Sequence, residues 1–185
     1  MSKKIAFVNG SLRKASFNQS IVDYLKSELT GKGFEVSQID FSQLPLLNQD
    51  IEFPAPAAVA AVREEMISAD ALWIVTPEYN GSVPGGLKNM LDWVSRPVEM
   101  GTHGAPAFVA GKLVAISGAA GAPKAALVRP ELTGLVTRMG MAPLAQQTGL
   151  TLPGEAFQTG VFDLSEENKA ELNVQVEAFV AELAK

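Results

Sequence analysis

The sequence predicts a single doubly wound α/β domain, and three observations carry that expectation. Short apolar runs alternate along the chain with longer segments of helical periodicity. The clearest of those runs are apolar at every position, the pattern of parallel strands covered on both faces. Finally, 185 residues with 47% hydrophobic and 19% charged side chains fit one packed domain, large enough to bury a core without disulfide or metal.

The elements follow in order. Residues 5–8 (Ile-Ala-Phe-Val) read as a buried strand, entered from Lys3-Lys4 and stopped by Asn9-Gly10. Residues 18–31 read as a helix with Ile21, Val22, Leu25 and Leu29 on one face and Gly31 and Gly33 as stop signals. A second strand spans 34–39, and the proline-containing stretch 42–56 is a loop. Residues 57–68 form the second helix, with Pro56 suited to its start. The third strand, 71–75, ends at Thr76-Pro77, and the third helix begins near Pro84 with Leu87, Met90, Leu91 and Val94 at i, i+3, i+4, i+7. A fourth strand spans 112–117, a fourth helix 124–139, and a fifth strand falls within 143–152. The last helix runs over 166–183, capped by Ser165 and opened by acidic residues.

Composition excludes several chemistries. With no cysteine there is no disulfide, thiol nucleophile, iron–sulfur cluster or Cys-ligated zinc, and the lone His103 excludes a multi-histidine metal site. A net charge of −5 argues against a nucleic-acid backbone as partner. No apolar run approaches the ~18 residues of a membrane span. The apolar stretch after Met1-Ser2-Lys3-Lys4 is too short for a secretory leader, which predicts a cytoplasmic protein. No G-x-S-x-G elbow is present, and His103 between Thr102 and Gly104 reads as a loop residue without catalytic role.

Five β/α units predict the flavodoxin-like strand order 2-1-3-4-5, helices on both faces, across one domain of residues 1–185. Ligands of such sheets bind beyond the carboxyl ends of the strands, at the switch point between the first and third. The loop after the first strand, Gly10 to Asn18, is neither G-x-G-x-x-G nor a Walker motif. It offers hydroxyls (Ser11, Ser16), a guanidinium (Arg13), an amide (Asn18) and the N–H groups of a helix start, a set suited to a terminal phosphate. On residues alone, an ordinary capped turn with solvated Arg13 and Lys14 fits equally well. The loop after the third strand crowds Glu78, Tyr79 and Asn80 between prolines and glycines. Gly85 and Gly86 at a helix start suggest close approach of backbone to a planar ligand, and a plain turn is the competing reading. After the fourth strand, Ser117 to Ala122 is small and uncharged.

Gly-Ser-Leu-Arg-Lys-Ala-Ser-Phe-Asn at 10–18, Pro-Glu-Tyr-Asn-Gly-Ser at 77–82 and Leu-Lys-Asn-Met-Leu-Asp-Trp at 87–93 resemble the NADPH-dependent FMN reductase family, which includes bacterial quinone, chromate and azo-dye reductases. The resemblance covers nearly the whole chain and is weakest over 140–185. It implies non-covalent FMN, with Ser11, Arg13, Ser16, Phe17 and Asn18 at its phosphate. Pro77, Glu78, Tyr79, Asn80 and Gly81 would line the ribityl chain and isoalloxazine, and Ser117 and Gly118 would close the ring's other edge. Where many relatives carry a glycine-rich or arginine-containing stretch, this chain has Ala119-Ala120-Gly121-Ala122-Pro123-Lys124. The resemblance further implies a homodimer or homotetramer with residues 88–93, Arg96 and Pro97 as interface candidates, Trp93 being open to a core role instead.

The activity so implied is an FMN-dependent NAD(P)H oxidoreductase, passing hydride from NAD(P)H to quinones or similar acceptors by a ping-pong scheme. No catalytic side chain and no metal is needed, because the flavin carries the chemistry. The rival is a flavodoxin-like electron carrier without NAD(P)H turnover. A signalling receiver domain is disfavoured, since Asn9-Gly10 supplies no acidic cluster.

Overall fold

The computed structural model describes residues 2–185. Strands β1 (Lys4–Asn9), β2 (Glu35–Gln38), β3 (Ala71–Thr76) and β4 (Leu113–Ala120) form a parallel sheet in the order β2-β1-β3-β4. Two short strands, β5 (Ala142–Pro143) and β6 (Thr148–Thr151), both pair in parallel with β4. The order 2-1-3-4-5 expected for five β/α units is therefore observed, with a sixth strand added.

Successive residues of a strand point to opposite faces, so each apolar strand feeds two cores. Ala6, Val8, Leu72, Ile74, Val114 and Ile116 face helices α2 (Ala57–Ser68), α3 (Gly85–Ser95) and α4 (Val128–Arg138). Ile5, Phe7, Trp73, Val75 and Ala115 face α1 (Phe17–Gly31) and α6 (Glu166–Leu183). The α1 stripe Ile21, Val22, Leu25 and Leu29 is fully buried, as its spacing predicts. Helix α6 opens with a capping box in which the Ser165 hydroxyl accepts from the Asn168 N–H.

The structure corrects four expectations. Strand β4 continues three residues beyond Ser117, because β6 pairs with it from Ser117 to Ala120. Helix α4 begins at Val128 rather than 124, since Lys124 and Ala125 adopt left-handed φ values of 53° and 54° that a helix cannot contain. The fifth strand is divided, and a buried glutamine fills the break. Gln175 Nε2 donates to the carbonyls of Ile116 and Gln146. A short helix unforeseen in the sequence, α5 (Gly154–Thr159), follows β6.

Four of the suggested interface residues also change meaning. Trp93 is fully buried and its indole N–H donates to the Pro45 carbonyl, beside Asn89, whose amide grips Pro45 and Leu47. Met90 and Leu91 belong to the core as well. What α3 presents to solvent is the Lys88–Asp92 ion pair. His103 lies exposed in the loop between α3 and β4. Among the described residues no helix is long and apolar enough to cross a membrane, and no group of His, Cys, Asp and Glu is placed to hold a metal ion.

Candidate functional site

The carboxyl ends of β1, β3, β4 and β6 converge on a cavity of about 320 Å³. Its floor on one side is the start of α1, with Ser11, Arg13, Ser16, Phe17 and Asn18. Across from it stand Pro77, Glu78 and Tyr79, and the far wall is Ala119, Ala120 and Gly121. Leu152 and Phe157, from the end of β6 and from α5, complete the lining.

The loop between β1 and α1 is organised by Asn9. Its amide oxygen accepts from the Ser11 N–H and the Ser16 hydroxyl, and its NH2 donates to Gln19. Ser16 thereby occupies the cap position of α1 while its hydroxyl turns to Asn9, leaving the helix start without a side-chain cap. No acidic residue stands in that first turn either. The result is a free N-terminal dipole and unpaired N–H donors, the arrangement that binds anions. Arg13 adds a guanidinium poised 4.4 Å from the Phe17 ring centre. Phe17 in turn meets Phe157 edge-on at 5.6 Å.

A second helix start nearby is closed. The Glu78 carboxylate accepts from the N–H groups of Leu127 and Val128, capping α4 from another loop. Of these two helix N-termini, only that of α1 is free for an anion.

The β3–α3 loop reverses at Asn80-Gly81, whose φ values of 53° and 72° are the left-handed pair of a tight hairpin turn. Tyr79 and Ser82 exchange both main-chain hydrogen bonds across it. The Tyr79 ring stays half exposed, its hydroxyl 3.4 Å from that of Ser11, so the two loops meet over the cavity mouth.

Of the residues singled out in the sequence, Ser11, Arg13, Ser16, Phe17, Asn18, Pro77, Glu78 and Tyr79 are brought together around this cavity. Asn80 and Gly81 form the turn beyond it. Asn18 does not offer its amide freely: it pairs with both main-chain groups of Ala119, accepting at 2.9 Å from its N–H and donating to its carbonyl. Ser117 is turned away altogether. Its hydroxyl is fully buried between the Trp73 indole N–H and Gln175, inside the core. Gly118 is a packing position, since a Cβ there would stand 2.3 Å from the Thr76 carbonyl oxygen. The wall assigned to those two residues is thus built one step later, by Ala119 to Gly121. Gly86 likewise makes room for protein rather than ligand, its missing Cβ replaced by the Leu12 side chain.

Asn9, Leu152 and Phe157 were not singled out. Asn9 was legible as the polar residue ending an apolar strand. Phe157 carried no comparable signal, because α5 is a single short helix within an irregular stretch.

A second cavity of about 290 Å³ lies on the other side of the same loop, over the end of β2. Its amides and carboxylate already pair among themselves, Gln19 with Gln38 and Asp40 with the Ser42 N–H. The latter bond holds the Asp40 carboxyl below its ordinary range.

Residues 3–152 match the family model described as NADPH-dependent FMN reductase. The chain belongs to that family. Among curated proteins, it is 47% identical over 97 residues to a 2-hydroxy-1,4-benzoquinone reductase of Burkholderia sp, covering 52% of each chain. It is 39% identical over 125 residues to a quinone reductase of Escherichia coli K12, covering 65% of this chain and 66% of the other. The matches to these two curated relatives thus span from about half to two thirds of their length. The structure of FerB, a flavoenzyme NAD(P)H:(acceptor) oxidoreductase from Paracoccus denitrificans, superimposes with a TM-score of 0.83 at 30% identity, covering 98% of this chain and 97% of that one.

The residues present fit the FMN of this reductase family. Its phosphate requires an uncapped helix start with cationic and hydroxyl donors, which α1, Arg13 and Ser11 supply. Its flat ring requires a wall without bulk, and Gly121 has open space where a Cβ would stand.

Proposed function

We propose that this chain is an FMN-dependent NAD(P)H oxidoreductase whose acceptors are quinones or similar compounds. The observation that carries the reading is the open start of α1, facing an uncharged shelf of small residues across one cavity. Arg13, Ser11 and the first N–H groups of α1 hold the phosphate. Pro77 and the Tyr79–Ser82 turn border the ring on one side, with Ala119 to Gly121 opposite. When bound, FMN supplies the hydride-accepting and hydride-donating chemistry.

The chain's own part is to bind, orient and leave one face accessible. The mouth between Tyr79 and Phe157 is open to solvent, and both side chains are half exposed or more. A donor and an acceptor that share this mouth must use it in turn, which supports a ping-pong scheme. The quinone class is supported by the Burkholderia and Escherichia coli relatives, a 2-hydroxy-1,4-benzoquinone reductase and a quinone reductase. Tyr79 and Phe157 at that mouth, and Leu12 and Leu127 in the loops beside it in sequence, are all exposed apolar side chains. They support self-association as a homodimer or homotetramer, read by light scattering on the eluted protein.

The deciding experiment is absorbance. The purified or FMN-reconstituted protein is yellow, and anaerobic NADPH or NADH bleaches it at catalytic rates, a quinone restoring the colour. A protein that stays colourless after reconstitution overturns the reading. Bound flavin that neither nucleotide bleaches identifies an electron carrier instead.

A further inference from the structure

We propose that Glu131, on the first turn of α4, is a positioning residue that sets the separation of the two walls of the flavin slot. The proposal rests on the FMN reading above. Glu131 itself stands outside the cavity and acts through the loop it holds.

Its two carboxylate oxygens have separate tasks. Oε1 accepts from the Ser82 hydroxyl at 2.8 Å, and Oε2 accepts from the Val83 N–H at 3.2 Å. Glu78 makes the reverse connection. Starting from the β3–α3 loop, its Oε2 accepts from the N–H groups of Leu127 and Val128 at 2.9 and 3.0 Å. Two carboxylates therefore cross between the same two segments in opposite directions, and four donors are held by them.

Both segments need such a tie. The 79–82 stretch is a two-residue turn that projects from the sheet, with only its own two main-chain bonds inside it. The other segment contains Lys124 and Ala125 in left-handed conformations, which non-glycine residues adopt only when their surroundings hold them. It is pressed on β6 so closely that a Cβ at Gly149 would lie 2.1 Å from the Lys124 carbonyl oxygen. One segment leads from Pro77 and Glu78, the other from Gly121, and the loops that follow the adjacent strands β3 and β4 thus each supply a wall of the cavity. Because the tie runs through a glutamate side chain, its length is a measurable variable.

The test uses full-length protein with four substitutions: Glu131→Ala, Glu131→Asp, Glu131→Gln and Ser82→Ala. Three readouts are taken, namely FMN affinity by fluorescence titration, the visible circular dichroism of the bound flavin, and apoprotein melting. Glu131→Ala weakens FMN roughly three- to ten-fold, the scale of one net hydrogen bond, and alters the visible dichroism. Glu131→Asp, one methylene short, behaves like Ala. Glu131→Gln, which keeps the length and one acceptor oxygen, restores most of the affinity and the dichroism. Combining Ser82→Ala with Glu131→Ala adds nothing to the loss from Glu131→Ala alone. A Glu131→Ala protein with wild-type affinity and dichroism overturns the proposal. So does a loss of affinity that follows apoprotein melting equally in all three Glu131 variants. A wild-type chain that binds no FMN overturns the flavin reading and this one together.

Discussion

The Arg13 side chain is exposed, its guanidinium lies over the Phe17 ring, and it has no ion pair among the described residues. Removing it therefore tests binding with little effect on the fold. Arg13→Ala weakens FMN by about 10- to 150-fold, the worth of a hydrogen bond to a charged group at roughly 1.5–3 kcal/mol, measurable by titration. Asn18 gives the opposite pattern. Its amide serves both main-chain groups of Ala119 in a buried position, so Asn18→Ala lowers stability by about 1–3 kcal/mol through an orphaned N–H, read as a lower denaturant midpoint. The sequence shows both residues in one polar loop and cannot separate them by type. An asparagine near a helix start serves a ligand or a neighbouring strand equally well. Ser117 was misread for the same reason: its partners, Trp73 and Gln175, lie 44 and 58 residues away.

At the scale of elements, the long periodic segments were legible to within a residue or so. Helices 57–68 and 166–183 begin and end where Pro56, Ser165 and their apolar stripes place them. Failures cluster after Ser117, where boundaries depend on pairing rather than on pattern. Strand β4 is lengthened by β6, and the start of α4 is postponed by two left-handed residues and fixed by a glutamate from another loop. Gly118 shows how tight that region is. Gly118→Ala forces a methyl group against the Thr76 carbonyl oxygen and costs roughly 1–3 kcal/mol as β3 and β4 are pushed apart. For a chain of this size each kcal/mol lowers the thermal midpoint by about 2–4 °C, so calorimetry reads it directly.

For the whole molecule, strand order and a cavity at the carboxyl ends of the strands followed from counting β/α units, because parallel crossovers of one hand leave few topologies open. Charge on the molecule gives a prediction of its own. Lys112 lies half-buried at the foot of β4, and burial lowers its amine below the ordinary value of 10.5. Below the folded value the amine is charged in the folded and unfolded chains alike, and the folded chain bears the desolvation. As pH rises through the folded value, the native amine loses its proton first and that cost is relieved, until the unfolded amine titrates as well. The stability difference between Lys112→Met and the parent protein therefore shifts toward the parent as pH is raised toward the ordinary lysine value of 10.5, measured by urea unfolding. The divided fifth strand has a consequence for association. Both borders of the sheet are stubs: β2 and β6 have four residues each, β5 has two, and Pro143 in it has no N–H to give. Such borders offer a neighbouring chain almost no main-chain ladder to extend. Copies of this protein that meet must do so through helices and loops, and the sheet itself is guarded against edge-to-edge aggregation.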